Sequence, residues 1–297
     1  MENNEYINKR IYKPVPILDG IQEIKDDFEE RIAQGDTTYG IEILDDCVET
    51  IRNGSVTFII AAPNVGKSLW GLTIATNLAK QGKKVLICSC EMGAGLLMER
   101  QLKTLTGIGM KQLREMYSSH RDEANYIMDS IIEDDQFNYL KNIDICETGG
   151  ATVEDMIKMF DCFPEFEYII VDYIQRVRGT GTEYEVITNA ARELQTYARR
   201  TGRKFIICSQ ASRTSNDSTK YGTNKDSFDG SRIRGKGSGS IEEDADVGLT
   251  LMELNENGDK KILATLFKNR YGDKKNITYK YRLDNRLCLI LEGRNYV

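Results

Sequence analysis

The sequence predicts an α/β protein built on a mainly parallel, twisted sheet, with helices on both faces and antiparallel strands at its C-terminal edge. From about residue 40 onward, short apolar runs rich in β-branched residues alternate with segments of helical periodicity. This alternation is typical of strand–helix–strand units, which form parallel sheets covered on both faces. The chain then ends in consecutive strand-like runs separated by short turns, and short turns join antiparallel strands.

The segment 1–38 is predicted to be separate from a domain at 39–297. Apolar residues recur in it at helical spacing on an otherwise charged helix, at Ile17, Leu18, Ile21, Ile24, Phe28 and Ile32. A narrow apolar stripe of this kind requires a partner surface, either on the same domain or on a neighbouring subunit.

The domain at 39–297 has its strands and helices in a regular order. Strands are predicted at 56–62, 84–90, 142–146, 167–172 and 204–210, and helices at 66–81, 93–106, 185–201 and from Thr152 onward. The C-terminal strands are predicted at 246–254, 261–269, 277–283 and 287–293, and the region 107–141 is predicted to be helical without a catalytic group. Ligands of such sheets bind beyond the carboxyl ends of the strands, so we expect the chemistry there.

Composition limits the classes of function. The net charge of −6 means that any nucleic-acid site must be local. No apolar stretch approaches the ~18–20 residues needed to cross a bilayer, and the polar start MENNEYINKR lacks a signal-peptide core. The seven cysteines lack CxxC spacing and lie mostly in apolar runs, which predicts reduced, buried thiols. We therefore expect a soluble, cytoplasmic protein that binds no membrane.

The run 58–68 has the layout of a phosphate-binding loop, with a strand, a short loop ending in Gly-Lys-Ser, and a helix. Loop N–H groups and the positive end of the helix dipole favour an anion there. Lys67 would reach the terminal phosphates, and Ser68 would ligate Mg²⁺. Ala61 stands where the usual motif has its first glycine, and a chance Gly-Lys-Ser opening an ordinary helix is the alternative. The candidate nucleotide-binding residues are Ala61, Ala62, Pro63, Asn64, Val65, Gly66, Lys67 and Ser68.

Further polar residues end the predicted strands. Glu91 terminates a buried strand, so we expect its carboxylate to be buried. Burying a charge is costly unless it has a role or a partner, and a carboxylate there can orient and deprotonate water. Asp172 follows four apolar residues, a pattern of the acid that holds Mg²⁺ through water, although a cap for the next helix gives the same string. Gln210 would bring a neutral amide to the γ-phosphate.

A long polar segment at 213–236 is the local candidate for nucleic-acid binding. It carries six Lys/Arg against three Asp, is rich in small polar residues and has no hydrophobic period. Loops this long are usually functional or disordered, and a solvated linker is the alternative. Its basic residues are Arg213, Lys220, Lys225, Arg232, Arg234 and Lys236, and a second loop at 178–183 adds Arg178.

Taken together, these motifs resemble those of one family. Over about residues 37–275, the order is AAPNVGKS, SCEMGAGLLMERQL, YIIVDYIQ, CSQASR, GSGSIEEDADVGLTL and FKNRYGD. This order is similar to that of the motor domain of DnaB-type replicative ring helicases, which are RecA-like P-loop ATPases of helicase superfamily 4. Alanine in place of the first loop glycine is also familiar in that family.

The resemblance implies a role for each matching residue. Lys67 and Ser68 match the ligands of the β- and γ-phosphates of ATP and of Mg²⁺, with Asp172 as the acid near the metal. Glu91 matches the catalytic glutamate that polarises water. Gln210 matches the γ-phosphate sensor, which links hydrolysis to the loop that follows it.

The resemblance also implies residues that act on a neighbour and on DNA. Lys268 and Arg270 match a pair presented to the neighbouring subunit's nucleotide, with Arg270 as an arginine finger in trans; ordinary surface charges are the alternative. The loop at 213–236 matches loops that line the ring channel and hold single-stranded DNA.

The implied function is that of an ATP-hydrolysing helicase or translocase on single-stranded DNA, acting in DNA replication as a hexameric ring that moves 5′ to 3′. A primase or a helicase loader is a candidate further partner, and the cytoplasm of a bacterium or phage-infected host is the expected location. Because only about 38 residues precede the motor, we expect the collar domain that recruits primase to be missing. Those residues then correspond to the linker helix that docks on the adjacent motor domain.

Two alternatives stay open at this stage. One is a RecA- or RadA-like recombination ATPase or a clock-type ATPase, which shares the fold and the phosphate loop. The other is a nucleotide-dependent DNA-binding scaffold or adaptor that assembles but does not unwind.

Overall fold

The computed structural model describes residues 16–211, 241 and 243–295, and the chain divides between Thr37 and Thr38 into two compact units. In the first unit, a 3-10 turn at Ile17–Asp19 leads into helix α1 (Gly20–Gln34). The predicted helix is therefore confirmed. The apolar stripe is exposed, with side-chain exposures between 52% at Ile21 and 93% at Ile17.

The second unit is built on one sheet. Its described strands are β1 (Val56–Ala61), β2 (Val85–Ser89), β3 (Ile143–Glu147), β4 (Tyr168–Asp172), β5 (Lys204–Gln210), β6 (Val247–Glu256), β7 (Asp259–Asn269), β8 (Ile277–Leu283) and β9 (Leu289–Gly293). Their order is β3-β2-β4-β5-β1-β6-β7-β8-β9. Pairing is parallel from β3 to β6 and antiparallel from β6 to β9. The predicted mainly parallel sheet with an antiparallel C-terminal edge is thus confirmed.

Except for a short helix before β1 that the sequence does not predict, the helices of this unit follow the strands as expected. They are α2 (Glu42–Val48), α3 (Lys67–Lys80), α4 (Ala94–Thr106), α5 (Met110–Ser119), α6 (Arg121–Glu133), α7 (Val153–Cys162) and α8 (Glu183–Thr201), with 3-10 turns at Asp135–Asn142 and Ile174–Arg176. Helix α8 begins two residues before the predicted start because Thr182 and Glu185 form a capping box at its first turn.

Apolar residues cover both faces of the sheet. Along β1, Phe58 and Ile60 belong to one core while Ile59 and Ala61 belong to the other. The two cores include residues of α3 on one face and of α7 and α8 on the other. This alternation follows from the two-residue period of a strand, and it confirms helices on both faces.

The cysteines differ in part from the prediction. All seven are free, but Cys162 is exposed, and Cys146 and Cys288 are half-buried. Cys162 is the last residue of α7, where an apolar run in the sequence extends past the buried face of the helix. Within the described ranges, none of the helices combines the length and apolar character that crossing a bilayer requires.

Asp45 fixes the chain where it approaches β1. Its Oδ1 accepts a hydrogen bond from the Tyr39 N–H at 2.8 Å, and the Tyr39 hydroxyl lies 2.7 Å from Thr57 Oγ1. Burial raises the pKa of Asp45 to about 6, against the lowering effect of backbone N–H groups at Tyr39, Gly40 and Ile41.

An Asp45→Asn variant is expected to change the pH dependence of stability. Folding raises the pKa of Asp45 from 3.8 to about 6, so between these values the folded state binds more protons than the unfolded state. The stability due to protonated Asp45 is therefore complete below 3.8 and is lost as pH rises through about 6. As pH rises through this window, the free energy of unfolding of the variant should increase relative to that of the parent by about 1 kcal/mol, after allowance for solvent screening.

Urea unfolding of both proteins across this pH range measures the effect. Asp129→Asn is the matched control, because Asp129 is exposed and its surroundings change little on unfolding. A difference between parent and Asp45→Asn that stays constant with pH would contradict the prediction.

Candidate active site

The candidate catalytic residues meet at one edge of the sheet because parallel strands end together. Ala61 at the end of β1 is paired with Gln210 at the end of β5, and Ser89 in β2 is paired with Asp172 in β4. The Cys90 N–H then donates to the Asp172 carbonyl at 2.8 Å, which brings the chain after β2 against the end of β4. This edge is where the sequence predicts the chemistry.

The loop between β1 and α3 has the backbone of an anion-binding site. Gly66 adopts a φ of 110°, which strongly favours glycine, and Asn64 adopts a φ of 66°, which asparagine tolerates. No side chain caps the start of α3, so its first N–H groups point toward the loop opening. Ala61 is the last β1 residue, is fully buried and has no positive φ. Its position therefore does not require glycine.

Asp172 lies beneath this loop, and one of its buried carboxylate oxygens lacks a hydrogen-bond donor among the described residues. Its side chain is 6% exposed, and no described residue donates a hydrogen bond to Oδ1. Burial raises the pKa of Asp172, while the hydrogen bond with Ser68 and the charges of Lys67 and Arg100 lower it. A buried carboxylate oxygen next to a serine hydroxyl is the donor set that Mg²⁺ prefers, so these residues fit that ion.

A row of alternating charged and aromatic groups runs from the loop to Glu91. Lys67 Nζ lies 4.7 Å from the centroid of the Tyr173 ring, and the Arg176 guanidinium lies 5.7 Å from the same centroid. Arg176 Nε donates to the Tyr173 hydroxyl at 2.9 Å, and Arg176 Nη2 donates to Glu91 Oε1 at 2.9 Å. The bond to Glu91 is the main cause that raises the pKa of Arg176.

The expected burial of Glu91 is wrong. Strand β2 ends at Ser89, two residues earlier, and the Glu91 side chain is 49% exposed. Its charge is therefore stabilised by water and by Arg176 and does not need a buried partner. A carboxylate exposed beside the loop is accessible to a water molecule.

Gln175 fixes the backbone of Gln210. The Gln175 Oε1 accepts from the Gln210 N–H at 2.9 Å, and Nε2 donates to Ser209 Oγ at 2.8 Å and to the Gln210 carbonyl at 3.2 Å. The 3-10 turn Ile174–Arg176 therefore contacts the end of β5 through Gln175 and Glu91 through Arg176. One short element connects two of the candidate catalytic positions.

Arg178 lies two residues beyond this turn and is exposed. Its N–H donates to the Ala151 carbonyl at 2.9 Å, which holds its backbone beside the chain that precedes α7. The other candidate nucleic-acid residues lie outside the described residues, namely Arg213, Lys220, Lys225, Arg232, Arg234 and Lys236.

Lys268 and Arg270 are not part of this cluster. Strand β7 runs antiparallel to β6, so its C-terminal end lies level with the start of β1. The Arg270 N–H donates to the Asp246 carbonyl, and the Asp246 N–H donates to the Val56 carbonyl, both at 2.9 Å. Because β1 rises about 3.3 Å per residue, its start lies roughly 16 Å from the phosphate loop. The two residues therefore lie at the opposite edge of the sheet.

Sequence reasoning did not predict the contacts of Gln175 and Arg176 with the candidate catalytic residues. Arg176 and Glu91 are 85 positions apart, and nothing in either local pattern links them. The string Asp-Tyr-Ile-Gln-Arg at 172–176 carries Gln175 and Arg176 directly after a strand end. Their location directly after a strand end is the feature of the sequence that could have identified them.

The sequence matches the profile of one family, described as the DnaB-like helicase C-terminal domain, over residues 37–286. A probable plasmid replicative DNA helicase of Chlamydia muridarum is 28% identical over 246 residues, covering 78% of this chain and 50% of that protein. The replicative DNA helicase DnaC of Bacillus subtilis is 27% identical over 276 residues, covering 87% of this chain and 54% of that protein. The chain thus spans about half the length of the curated relatives it matches.

Solved structures share the fold. The ATPase domain of G40P superimposes with a TM-score of 0.75 at 20% identity, covering 95% of this chain and all of that chain. The KaiC-like protein PH0186 of Pyrococcus horikoshii gives a TM-score of 0.58 at 14% identity, covering 87% and 99%. At these identities the likeness establishes the fold alone.

An Asp172→Asn variant is expected to be more stable than the parent when metal and nucleotide are absent. The amide still accepts from Ser68 but removes a buried negative charge that has an unmatched oxygen, so the free energy of unfolding should rise by about 1–3 kcal/mol. Adding Mg²⁺ and ATP should stabilise the parent far more than the variant.

Thermal and urea unfolding with and without Mg²⁺–ATP measure both effects. Asp144→Asn is the matched control, since Asp144 is an exposed aspartate of the same sheet, in β3, which β2 separates from β4. A ligand-free Asp172→Asn protein less stable than the parent would argue against an uncompensated charge at this position.

Proposed function

The chain belongs to the family of DnaB-like helicase C-terminal domains, and from that premise we propose that it is an ATP-driven, ring-forming helicase or translocase on single-stranded DNA that acts in DNA replication. The relatives named above as replicative DNA helicases support this proposal. The observation that supports it is the separation of the candidate catalytic residues between two edges of one sheet. Each chain offers a phosphate loop with Glu91 at one edge and Arg270 at the other, as a ring of subunits requires.

In the proposed site, Lys67 and the loop N–H groups bind the β- and γ-phosphates of ATP. Ser68 and Asp172 would hold Mg²⁺, and the chemistry that this ion would supply is neutralisation of negative charge on the phosphates. Lys67 lies against the Tyr173 ring, which holds its ammonium group near the loop. The residues Ala61, Ala62, Pro63, Asn64 and Val65 supply the backbone of the cradle.

Glu91 orients the attacking water and accepts its proton at a carboxylate oxygen. Its exposure and the closeness of Asp172 support this role, since the charge of Glu91 adds to burial in raising the pKa of Asp172. Gln210 contacts the γ-phosphate and responds to its loss. Gln175 holds the Gln210 backbone, so a change there reaches Arg176 and Glu91 through one turn.

The proposed DNA site consists of Arg178 and the basic residues between 213 and 236. These side chains would bind phosphates without reading sequence, so affinity should fall steeply with salt. The loop that carries most of them follows Gln210 directly in the sequence, which gives nucleotide hydrolysis a short route to DNA.

The assembly we propose is a hexamer that moves 5′ to 3′, with a primase or a helicase loader as further partners, in the cytoplasm of a bacterium or phage-infected host. The segment 1–38 would serve as the linker helix, and 39–297 as the motor. The exposed stripe from Ile17 to Ile32 supports this, because an apolar face of that length suits a groove on an adjacent copy. A scaffold that assembles without unwinding is the second candidate, because it would use the same phosphate loop to bind nucleotide.

Unwinding of a forked duplex tests the helicase proposal directly. The parent should separate strands with ATP, and single-stranded DNA should stimulate its ATPase severalfold. Glu91→Gln should bind ATP with near-normal affinity yet lose hydrolysis by roughly 10²–10⁴-fold, because the amide cannot accept a proton. Glu133→Gln, a change at an exposed position outside the site, is the matched control and should behave as the parent.

The outcome also separates the alternatives. Normal turnover by Glu91→Gln would exclude the proposed role of Glu91. A parent protein that assembles with ATP but shows neither strand separation nor DNA stimulation would favour the scaffold.

Mixing two inactive variants tests whether Arg270 acts on a neighbour. Arg270→Ala should lower hydrolysis on the order of 10³–10⁵-fold while retaining ATP binding, and Lys67→Ala should be inactive through its own loop. In mixed rings, an intact finger from a Lys67→Ala chain meets an intact loop of an Arg270→Ala chain. The mixture should therefore recover a measurable fraction of parental ATPase activity.

The control is Arg282→Ala, because the Arg282 side chain is 44% exposed against 43% for Arg270 and has no proposed role. It should retain parental activity. If the two inactive variants form mixed rings and remain inactive together, Arg270 does not act in trans.

A further inference from the structure

We propose that Asp246 is the positioning residue for the trans-acting guanidinium of Arg270. This inference rests on the proposed function, because it concerns how one subunit presents its finger to the next. Asp246 does not contact the nucleotide of its own chain, since it lies at the edge of the sheet opposite the phosphate loop.

Asp246 is fixed on every side by its own chain. It is 2% exposed, and its Oδ2 accepts from the Val56 N–H at 3.0 Å at the start of β1. Its N–H donates to the Val56 carbonyl at 2.9 Å. The carboxylate therefore has a set location relative to the centre of the sheet.

Arg270 is attached to Asp246 at two points. Its N–H donates to the Asp246 carbonyl at 2.9 Å, and its Nη1 lies 2.7 Å from Asp246 Oδ1. Arg199 Nη2, on α8, lies 3.4 Å from the same oxygen. A buried carboxylate requires cationic partners of this kind, so the pairing selects one direction for the Arg270 side chain.

The pairing leaves Arg270 able to reach outward. A guanidinium carries five N–H donors in a fixed plane, and the Arg270 side chain is 43% exposed. One side of the plane is thus held by Asp246 while the rest faces the surface. A finger held in this way has lost its rotamer freedom before it meets a phosphate, and that is what preorganisation contributes to catalysis.

Lys268 is attached to the same short segment. Its Nζ donates to the Glu243 carbonyl at 2.9 Å. The Asp244 carboxylate, next in sequence, lies 3.7 Å from Arg192 Nε on α8. Lys268 and Arg270, which are proposed to act on the neighbour, therefore both contact the segment 243–246. That segment in turn contacts α8 through Arg192 and Arg199.

An Asp246→Asn variant tests the inference in the assembled, full-length protein. The amide oxygen still accepts from the Val56 N–H, but the charge that directs Arg270 is lost. We expect kcat for ATP to fall about 10–100-fold with KM nearly unchanged. Mixing this variant with Lys67→Ala should restore activity, because the Asp246→Asn loop is intact and receives a normal finger from its neighbour.

Two further variants exclude a merely structural effect. Arg199→Gln removes the other cation from the same carboxylate and should change kcat by less than about threefold. Asp246→Glu keeps the charge and displaces it by one methylene, so it should fold and give a kcat between those of the parent and Asp246→Asn. Thermal unfolding and particle size are measured for each.

The results separate failure of this inference from failure of the proposed function. Parental kcat in Asp246→Asn, or an equal loss in Arg199→Gln, overturns the inference. So does a mixture of Asp246→Asn and Lys67→Ala that stays inactive while Arg270→Ala and Lys67→Ala recover, and in that case the trans finger itself stands. If neither mixture recovers ATPase activity although mixed rings form, the positioning role of Asp246 and the proposed action of Arg270 in trans are both wrong.

Discussion

The pairing direction of the strands determines where each candidate catalytic group lies. Strands β1, β2, β4 and β5 are parallel, so their ends bring the phosphate loop, Glu91, Asp172 and Gln210 to one edge. Strand β7 is antiparallel to β6, so the residue that follows it, Arg270, comes to the other edge. No rotation of a side chain spans the length of β1 between them. A site that combines Arg270 with the phosphate loop, as proposed above, therefore requires a second chain.

The two edges differ in how firmly their charges are held. The ion pair of Glu91 and Arg176 has both side chains about half exposed, at 49% and 52%, and such pairs contribute about 0–1 kcal/mol. Glu91 can therefore exchange Arg176 for water or for a bound ligand at little cost. Asp246 is buried, and separating it from Arg270 would leave a charge without that partner. The easily exchanged contact, between Glu91 and Arg176, therefore lies beside the phosphate loop. The fixed contact, between Asp246 and Arg270, lies at the proposed arginine finger.

Much of the fold and part of the site could be predicted because they depend on local patterns. The strands follow from apolar runs and short turns, and the phosphate loop follows from the Gly-Lys-Ser string. One of these turns joins β6 to β7, where Asn257 and Gly258 adopt positive φ angles. The contacts of Arg176 and Asp246 depend on strand order and register, which no local pattern contains. The expected burial of Glu91 was wrong because β2 ends at Ser89, and the apolar run that continues to Cys90 does not mark this end.

Ala61 illustrates how the structure explains a departure from a motif. The first residue of a phosphate loop needs glycine only where its backbone has to adopt a positive φ or approach a phosphate closely. Here it is still part of β1, in register with Gln210, and its methyl group is packed in the core below the sheet. The requirement for glycine begins later, at Gly66 with its φ of 110°. The alanine therefore extends the strand by one buried residue, and that residue holds the phosphate loop and the end of β5 side by side.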